Sequence, residues 1–315
     1  MSEEFPTLTL SLPPEHAGQR LDQALAQLWP QFSRSRLQHW MASGALQVDG
    51  RAPRPRDRVI GGEQVVLRAE WQADTRVLPQ AMGLSVVHRD RHVFVIDKPA
   101  GLVVHPGAGN REGTLQNALL ALDPALTRVP RAGIVHRLDK DTSGLLVVAR
   151  TPEAHARLVE MLAEREIERS YLALCHGVLS GGGTIDAPIG RHRSARIKMA
   201  VRPDGREAVT HYRLERRFAA HTLLRVQLET GRTHQIRVHL AHIGFPIVGD
   251  PVYGGRKRFP AGASAELRAA LAAFSRQALH AARLAFDHPV SDAPLAFEAP
   301  LPADFVALLV ALETG

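Results

Sequence analysis

Residues 134–150 read IVHRLDKDTSGLLVVAR, a polar stretch holding His136, Arg137, Asp139, Lys140 and Asp141 between two apolar runs, Ile134-Val135 and Leu145-Leu146-Val147-Val148. The flanking runs predict buried strands, and Ser143-Gly144 predicts a turn. A short connection between core strands is where a rigid scaffold presents reactive groups. Two carboxylates would suit a glycosidase, which needs carboxyl groups flanking the bond about 5–9 Å apart. Asp139 and Asp141, however, stand at i and i+2 with Lys140 between them, and would reach a sugar from one side. A reaction on a nucleoside that needs one carboxylate and no cofactor fits better. The carboxylate attacks the sugar or the ring, or removes a proton from the sugar, while the cleaved base stays bound and becomes the next reactant.

Such a carboxylate needs a scaffold and a partner of matching charge. The chain has 315 residues, 45% of them hydrophobic, with a formal charge of +7. That is long enough for two domains with a sizeable core, and the positive excess favours a polyanion, most often nucleic acid. The single cysteine, Cys175, excludes an intrachain disulfide and suits a reducing cytoplasm. No apolar run approaches the ~18 residues of a membrane span, and the acidic start MSEEFPTLTL is unlike a signal peptide. A soluble, cytoplasmic, monomeric protein that does not engage membranes is expected.

Residues 1–75 read as one unit. In RLDQALAQLWP, Leu21, Leu25 and Leu28 form a helical stripe ended by Pro30. FSRSRLQHWMASG predicts a second helix capped by Ser33 and closed by Gly44, and ALQVDG carries the Asp49-Gly50 turn signal. Arg34 and Arg36 on that helix, with Arg51, Arg54, Arg56 and Arg58 after the turn, would suit contacts to phosphates. Over residues 18–70 this stretch resembles the S4 RNA-binding domain, which implies a small α/β module that binds structured RNA.

After a linker at 76–83, residues 84–315 alternate short apolar strands with a few helices. TPEAHARLVEMLAERE starts with Thr151 and Pro152 in cap positions, and SAELRAALAAF repeats apolar residues at helical spacing. Several strands follow one another without a helix, so the expected class is α+β with a large, mainly antiparallel mixed sheet. His234, His239 and His242 cluster in THQIRVHLAHIG, but the spacing predicts a helix capped by Thr233 and ended by Gly244. Neither an HExxH spacing nor a cysteine pair supports a metal, so none is expected. The basic run RHRSARIK, with Arg191, Arg193, Arg196 and Lys198, reads as a strand edge or loop that tracks an RNA backbone.

Three blocks carry a second resemblance: HRLDKDTSGLLVVA, RSYLALCHG (169–177) and GRTHQIRVHLAHIGFPIVGDPVYGG (231–255). Together they resemble the signatures of the RluA family of pseudouridine synthases, in order and over residues 84–300. The resemblance implies the pseudouridine synthase fold and a cofactor-free isomerisation of uridine in RNA. It implies Asp139 as the essential carboxylate, Arg232 as the cation that keeps it ionised, and Tyr171 as a stacking face and proton relay for an extruded uracil. Arg137 would fill the space the flipped base leaves, and Leu284 would pack on the base edge, while His136 holds the loop. Within the family, GREAVTHYRL and GGGTIDAPIGRH look most like the branch that modifies helix 69 of large-subunit ribosomal RNA. The implied partner is therefore that RNA, naked or in a 50S or pre-50S particle. A non-catalytic RNA-binding assembly factor would be expected to lack the nucleophile or the tyrosine, and both are present.

Overall fold

The computed structural model describes residues 7–29, 32, 34–68, 77–107, 109–195 and 198–314. Pro30, the Ser33 cap, Arg196 and part of the expected linker lie outside the described residues. The chain divides into two compact units, Met1–Arg76 and Val77–Gly315. The second unit begins ahead of the expected boundary because its first residues are already tied down. Gln80 donates its backbone N–H to the Asn117 carbonyl at 3.0 Å, and Asn117 donates its side-chain amide to the Leu78 carbonyl at 2.7 Å.

In the first unit, β1 (Thr7–Ser11), β2 (Leu46–Val48) and β3 (Gln64–Arg68) form an antiparallel sheet in the order β1-β3-β2. Helices α1 (Leu21–Leu28) and α2 (Arg34–Ala42) belong to the same unit. Leu21, Ala24 and Leu25 of α1 and Leu37, Trp40 and Met41 of α2 share one core with Val65 and Leu67. Asp49 and Gly50 both take positive φ, 46° and 74°, as a tight two-residue turn requires. Asp22 is buried on α1, where it accepts from Arg20 at 3.0 Å, Arg34 at 2.9 Å and Gln38 at 2.6 Å.

The second unit is built on a nine-stranded sheet. Its first half contains β4 (Ser85–Arg89), β5 (Val93–Lys98), α3 (Leu115–Leu122), β6 (Ser143–Ala149), α4 (Pro152–Ala163) and β7 (Glu168–His176). Next come β8 (Gly183–Asp186), a ribbon of β9 (Ile189–Arg191) and β10 (Met199–Val201), then β11 (Val209–Arg217) and β12 (His221–Leu228). The chain finishes with α5 (Gln235–His242), α6 (Ala265–Ala273), β13 (Leu279–Asp287), β14 (Pro294–Glu298) and α7 (Ala303–Thr314). The strand order is β4-β5-β6-β13-β7-β12-β11-β8, with β14 added to β13. All pairings are antiparallel except β6 with β13, so the sheet is mixed but mainly antiparallel.

The strand that follows the reactive loop sits at the centre. Every residue of β6 is buried, which is why its sequence is a continuous apolar run without alternation. Ser143 and Gly144 belong to this strand and form no turn. Gly144 has φ 110°, and a Cβ there would lie 2.2 Å from the Ala281 carbonyl oxygen of β13, so only glycine permits this close parallel pairing. Ile134 makes only an isolated bridge to Val148, so the polar stretch enters from an irregular segment and not from the expected strand. Among the described residues, no helix is long and apolar enough to cross a membrane.

Candidate active site

The loop between Ile134 and β6 is held at several points. His136 accepts the Val147 N–H on its Nε2 at 3.2 Å, and burial with the nearby Arg169 charge lowers the imidazole to about 3. A neutral ring is what an acceptor role requires, so His136 has the structural task expected of it. Lys98, at the end of β5, is fully buried and donates to the carbonyls of Pro99, Leu102 and Lys140 at 2.8, 3.0 and 3.0 Å. Burial brings its ammonium down to about 8. Gly101 also donates to the Lys140 carbonyl, at 2.9 Å. Beyond the loop, Gln277 donates to Thr142 Oγ1 at 3.1 Å, and Ser143 Oγ meets His280 Nδ1 at 2.9 Å. Asp139 is thus carried by backbone pinned on both sides.

The cation beside Asp139 is Arg237 on α5. Its Nη1 donates to Asp139 Oδ2 at 2.9 Å, while Nε and Nη2 donate to Asp250 at 2.7 and 2.9 Å. Burial opposes the charge on Arg237, but the bonds and charges of Asp250 and Asp139 outweigh it and raise its pKa. Burial likewise opposes the Asp250 carboxylate, yet Arg237 and the N–H groups of Tyr253 and Val252 hold it below the usual range. A buried guanidinium with two carboxylates satisfies most of its donors, the condition under which such a group persists in a low dielectric.

His234 caps α5 in the left-handed conformation, φ 58°, in place of the expected Thr233. Tyr253 Oη accepts the Met199 N–H at 2.8 Å, which leaves its own proton for His234 Nδ1 at 2.9 Å. The ring proton is then on Nε2, 3.8 Å from Asp139 Oδ1. His239 engages Thr210 and the Ala187 carbonyl through its two nitrogens, at 2.8 and 2.9 Å, as a buried structural histidine.

These groups border a cavity of about 600 Å³ lined by Asp139, Tyr171, Arg137, Arg169, Arg232, Arg237, Leu279 and their neighbours. That volume suits a nucleoside-sized ligand. Tyr171 is 5% exposed, and burial raises its phenol. Of the wall carboxylates, Glu207 and Glu229 are paired with Arg165, whereas Asp139 stands beside the buried Arg237, and with the aromatic face of Tyr171 it equips the cavity for nucleophilic or proton-transfer chemistry on a planar ring.

Two expected residues stand elsewhere than anticipated. Arg232 is on the wall, but its Nε donates to the Glu207 carbonyl at 2.9 Å, and the ion pair with Asp139 is made by Arg237, five residues on. The reason is local: Arg232 precedes the αL cap, whereas Arg237 lies on a buried face of the helix. Leu284 is 1% exposed in a core cluster with Leu158, Met161 and Phe286, and Leu279 of the same strand lines the cavity instead. In the first unit, Arg34 is committed to Asp22, and Arg36 lies over the Trp40 ring at 5.2 Å. Arg191 ends β9, and Arg193 and Lys198 follow in the β9–β10 connection. Sequence reasoning missed Arg237, Asp250, Lys98 and Arg169. The available signals were charged residues embedded in apolar runs, VFVIDKP and QIRVHL.

Residues 92–242 match the family model described as RNA pseudouridylate synthase. The chain is 58% identical over 302 residues to "Ribosomal large subunit pseudouridine synthase D" of Xanthomonas campestris pv. campestris, covering 96% of this chain and 91% of that one. It is also 58% identical to the protein of that name from Pseudomonas aeruginosa, covering 96% and 94%. Among solved structures, human RNA pseudouridylate synthase domain containing 4 superposes with a TM-score of 0.59 at 26% identity, over 73% of this chain and 93% of that chain.

Proposed function

The chain belongs to the RNA pseudouridylate synthase family, and on that premise we propose that it uses Asp139 to isomerise uridines of large-subunit ribosomal RNA, with the helix 69 stem-loop as target. The observation that carries the reading is Asp139 on the wall of a nucleoside-sized cavity, gripped by Arg237 at 2.9 Å, while the two other carboxylates on that wall, Glu207 and Glu229, are paired with Arg165.

The uridine leaves its stack, and its base enters against Tyr171, while Arg137 occupies the vacated space. Asp139 attacks the sugar or the ring, or takes a sugar proton. The C1′–N1 bond breaks with its electron pair on the uracil. The base turns, C5 bonds to C1′ as Asp139 is released or returns the sugar proton, and the C5 proton departs through the Tyr171 hydroxyl while N1 takes up a proton. Arg237 holds Asp139 aimed through its 2.9 Å bond, and Arg232 serves as a clamp on the cavity wall. The S4-like first unit, with Arg34 and Arg36, and the β9–β10 connection, with Arg191, Arg193 and Lys198, hold phosphates and give affinity its salt dependence. The protein works as a cytoplasmic monomer on a 50S or pre-50S particle.

The names of the bacterial relatives support large-subunit ribosomal RNA as substrate, and the resemblance of 181–192 and 205–214 to one branch of the family supports helix 69 within it. Tritium release from C5-labelled uridine tests it, with three substrates in parallel: the helix 69 stem-loop, unmodified 50S particles and an unrelated hairpin RNA. Release from the stem-loop or the particles, but not from the hairpin, is expected. Release confined to other ribosomal RNA would overturn the helix 69 assignment, and none from any ribosomal RNA would overturn the substrate class.

A further inference from the structure

A buried cation in this cavity lacks a protein partner. Arg169 is 8% exposed and lines the cavity, and its Nε is buried without a hydrogen-bond partner. Three other guanidinium groups on the wall have protein partners. Arg237 binds Asp139 and Asp250, Arg165 pairs with Glu207 and Glu229, and Arg232 donates to the Glu207 carbonyl. Among the described residues, Arg169 has no ion pair and no side-chain hydrogen bond. An uncompensated buried guanidinium is costly, and such groups occur where a ligand supplies the missing acceptor.

Its position says which acceptor. Arg169 and Tyr171 stand at i and i+2 on β7, and both line the cavity. The room for its Nη1 depends on Gly231, where a Cβ would come within 3.1 Å. A phosphodiester stays with the RNA backbone at the mouth of a pocket, whereas an extruded base goes to the depth where Tyr171 and Arg169 are buried. We propose that Arg169 donates to a carbonyl oxygen of the flipped uracil and stabilises the negative charge that oxygen acquires. This rests on the assignment of the cavity to Asp139 and Tyr171 above. When the C1′–N1 bond breaks, its electron pair passes to N1 and is delocalised onto O2 and O4. It is spent when C5 bonds to C1′, and the pair freed as the C5 proton leaves is taken up by protonation at N1. Whichever way Asp139 acts, the uracil carries that charge, so a donor placed before the reaction favours the transition state over the ground state.

The test uses the full-length protein and large-subunit ribosomal RNA transcripts made with uridine, 4-thiouridine or 2-thiouridine. Pseudouridine, or its thio counterpart, is measured by chromatography of digested nucleosides under single-turnover conditions. Arg169→Met is expected to slow conversion of the uridine RNA by about 100-fold, as removal of a preorganised donor does, with RNA affinity and its salt slope unchanged. Its melting temperature should equal or exceed that of wild type, because no native ion pair is lost. Thio substitution at the contacted oxygen should slow wild type and leave Arg169→Met indifferent, and Arg169→Lys should recover part of the rate. A rate within twofold of wild type, or equal thio sensitivity in both proteins, would overturn the proposal. So would a weaker affinity with a shallower salt slope, which would mark a phosphate contact instead. Asp139→Asn separates the two levels of argument. Full activity there would overturn the cavity assignment and this proposal with it, whereas loss there beside an unaffected Arg169→Met would overturn the Arg169 contact alone.

Discussion

Replacing Arg237 by methionine separates what its guanidinium does for the fold from what it does for the reaction. The substitution removes two bonds to Asp250, at 2.7 and 2.9 Å, and one to Asp139, at 2.9 Å. The Asp250 side chain has no exposure, so its charge would be left in the interior, where only the N–H groups of Val252 and Tyr253, at 2.8 and 3.0 Å, still meet it. Removing one partner of a buried pair costs about 3–5 kcal/mol. For a unit the size of Val77–Gly315 this corresponds to a fall in melting temperature of about 6–20 °C. Asp139 is 15% exposed and loses its aim more than its solvation, so single-turnover conversion should fall about 100-fold or more. The double variant Arg237→Met with Asp250→Asn removes the stranded charge while keeping the acceptor for the two N–H groups. It should regain most of the stability and none of the activity. Urea titration and single-turnover kinetics on the same preparations read both quantities. An unchanged urea midpoint in Arg237→Met, or recovered turnover in the double variant, would refute the reasoning.

Two further perturbations probe the frame around the loop. Lys98, lowered by burial to about 8 from an ordinary 10.5, sheds its proton in the folded chain before the unfolded chain does. Across that window the unfolded state binds more protons, so the stability of this unit should rise with pH. The neutral amine has only two N–H groups for three carbonyls, so turnover should instead fall as pH passes about 8; turnover that stays flat through the window, in wild type as in Lys98→Met, would contradict this. Gly144→Ala forces a Cβ to within 2.2 Å of the Ala281 carbonyl at a φ of 110° and should destabilise the unit by about 4 kcal/mol or more. A thermal melt at the wild-type temperature would show that β6 and β13 part without cost.

Much of the site was legible because the loop's residue types are unusual between apolar strands, and because helices α4 and α6 announce themselves through caps at Thr151 and Ser264. What escaped were facts of tertiary reach. Arg232 and Arg237 sit five residues apart in one motif, and no local pattern says that an αL cap at His234 turns the first towards Glu207 and the second towards Asp139. Leu279 and Leu284 share a strand, and only its packing against α4 decides which of them reaches the cavity. Ser143-Gly144 has the composition of a turn, yet the glycine answers the close approach of a parallel neighbour. Lys98 meets Lys140 across 42 residues, a bond invisible to sequence spacing.

The role of Asp139 is tested most directly by single-turnover conversion of ribosomal RNA uridine to pseudouridine by wild type and Asp139→Asn, with RNA affinity measured on the same samples. Asparagine keeps the shape and can still accept from Arg237, but it can neither attack nor take a proton. The variant should bind RNA and melt as wild type does while giving no detectable product. Product formed by Asp139→Asn at a rate near that of wild type would contradict the role given to this carboxylate and to the cavity built around it.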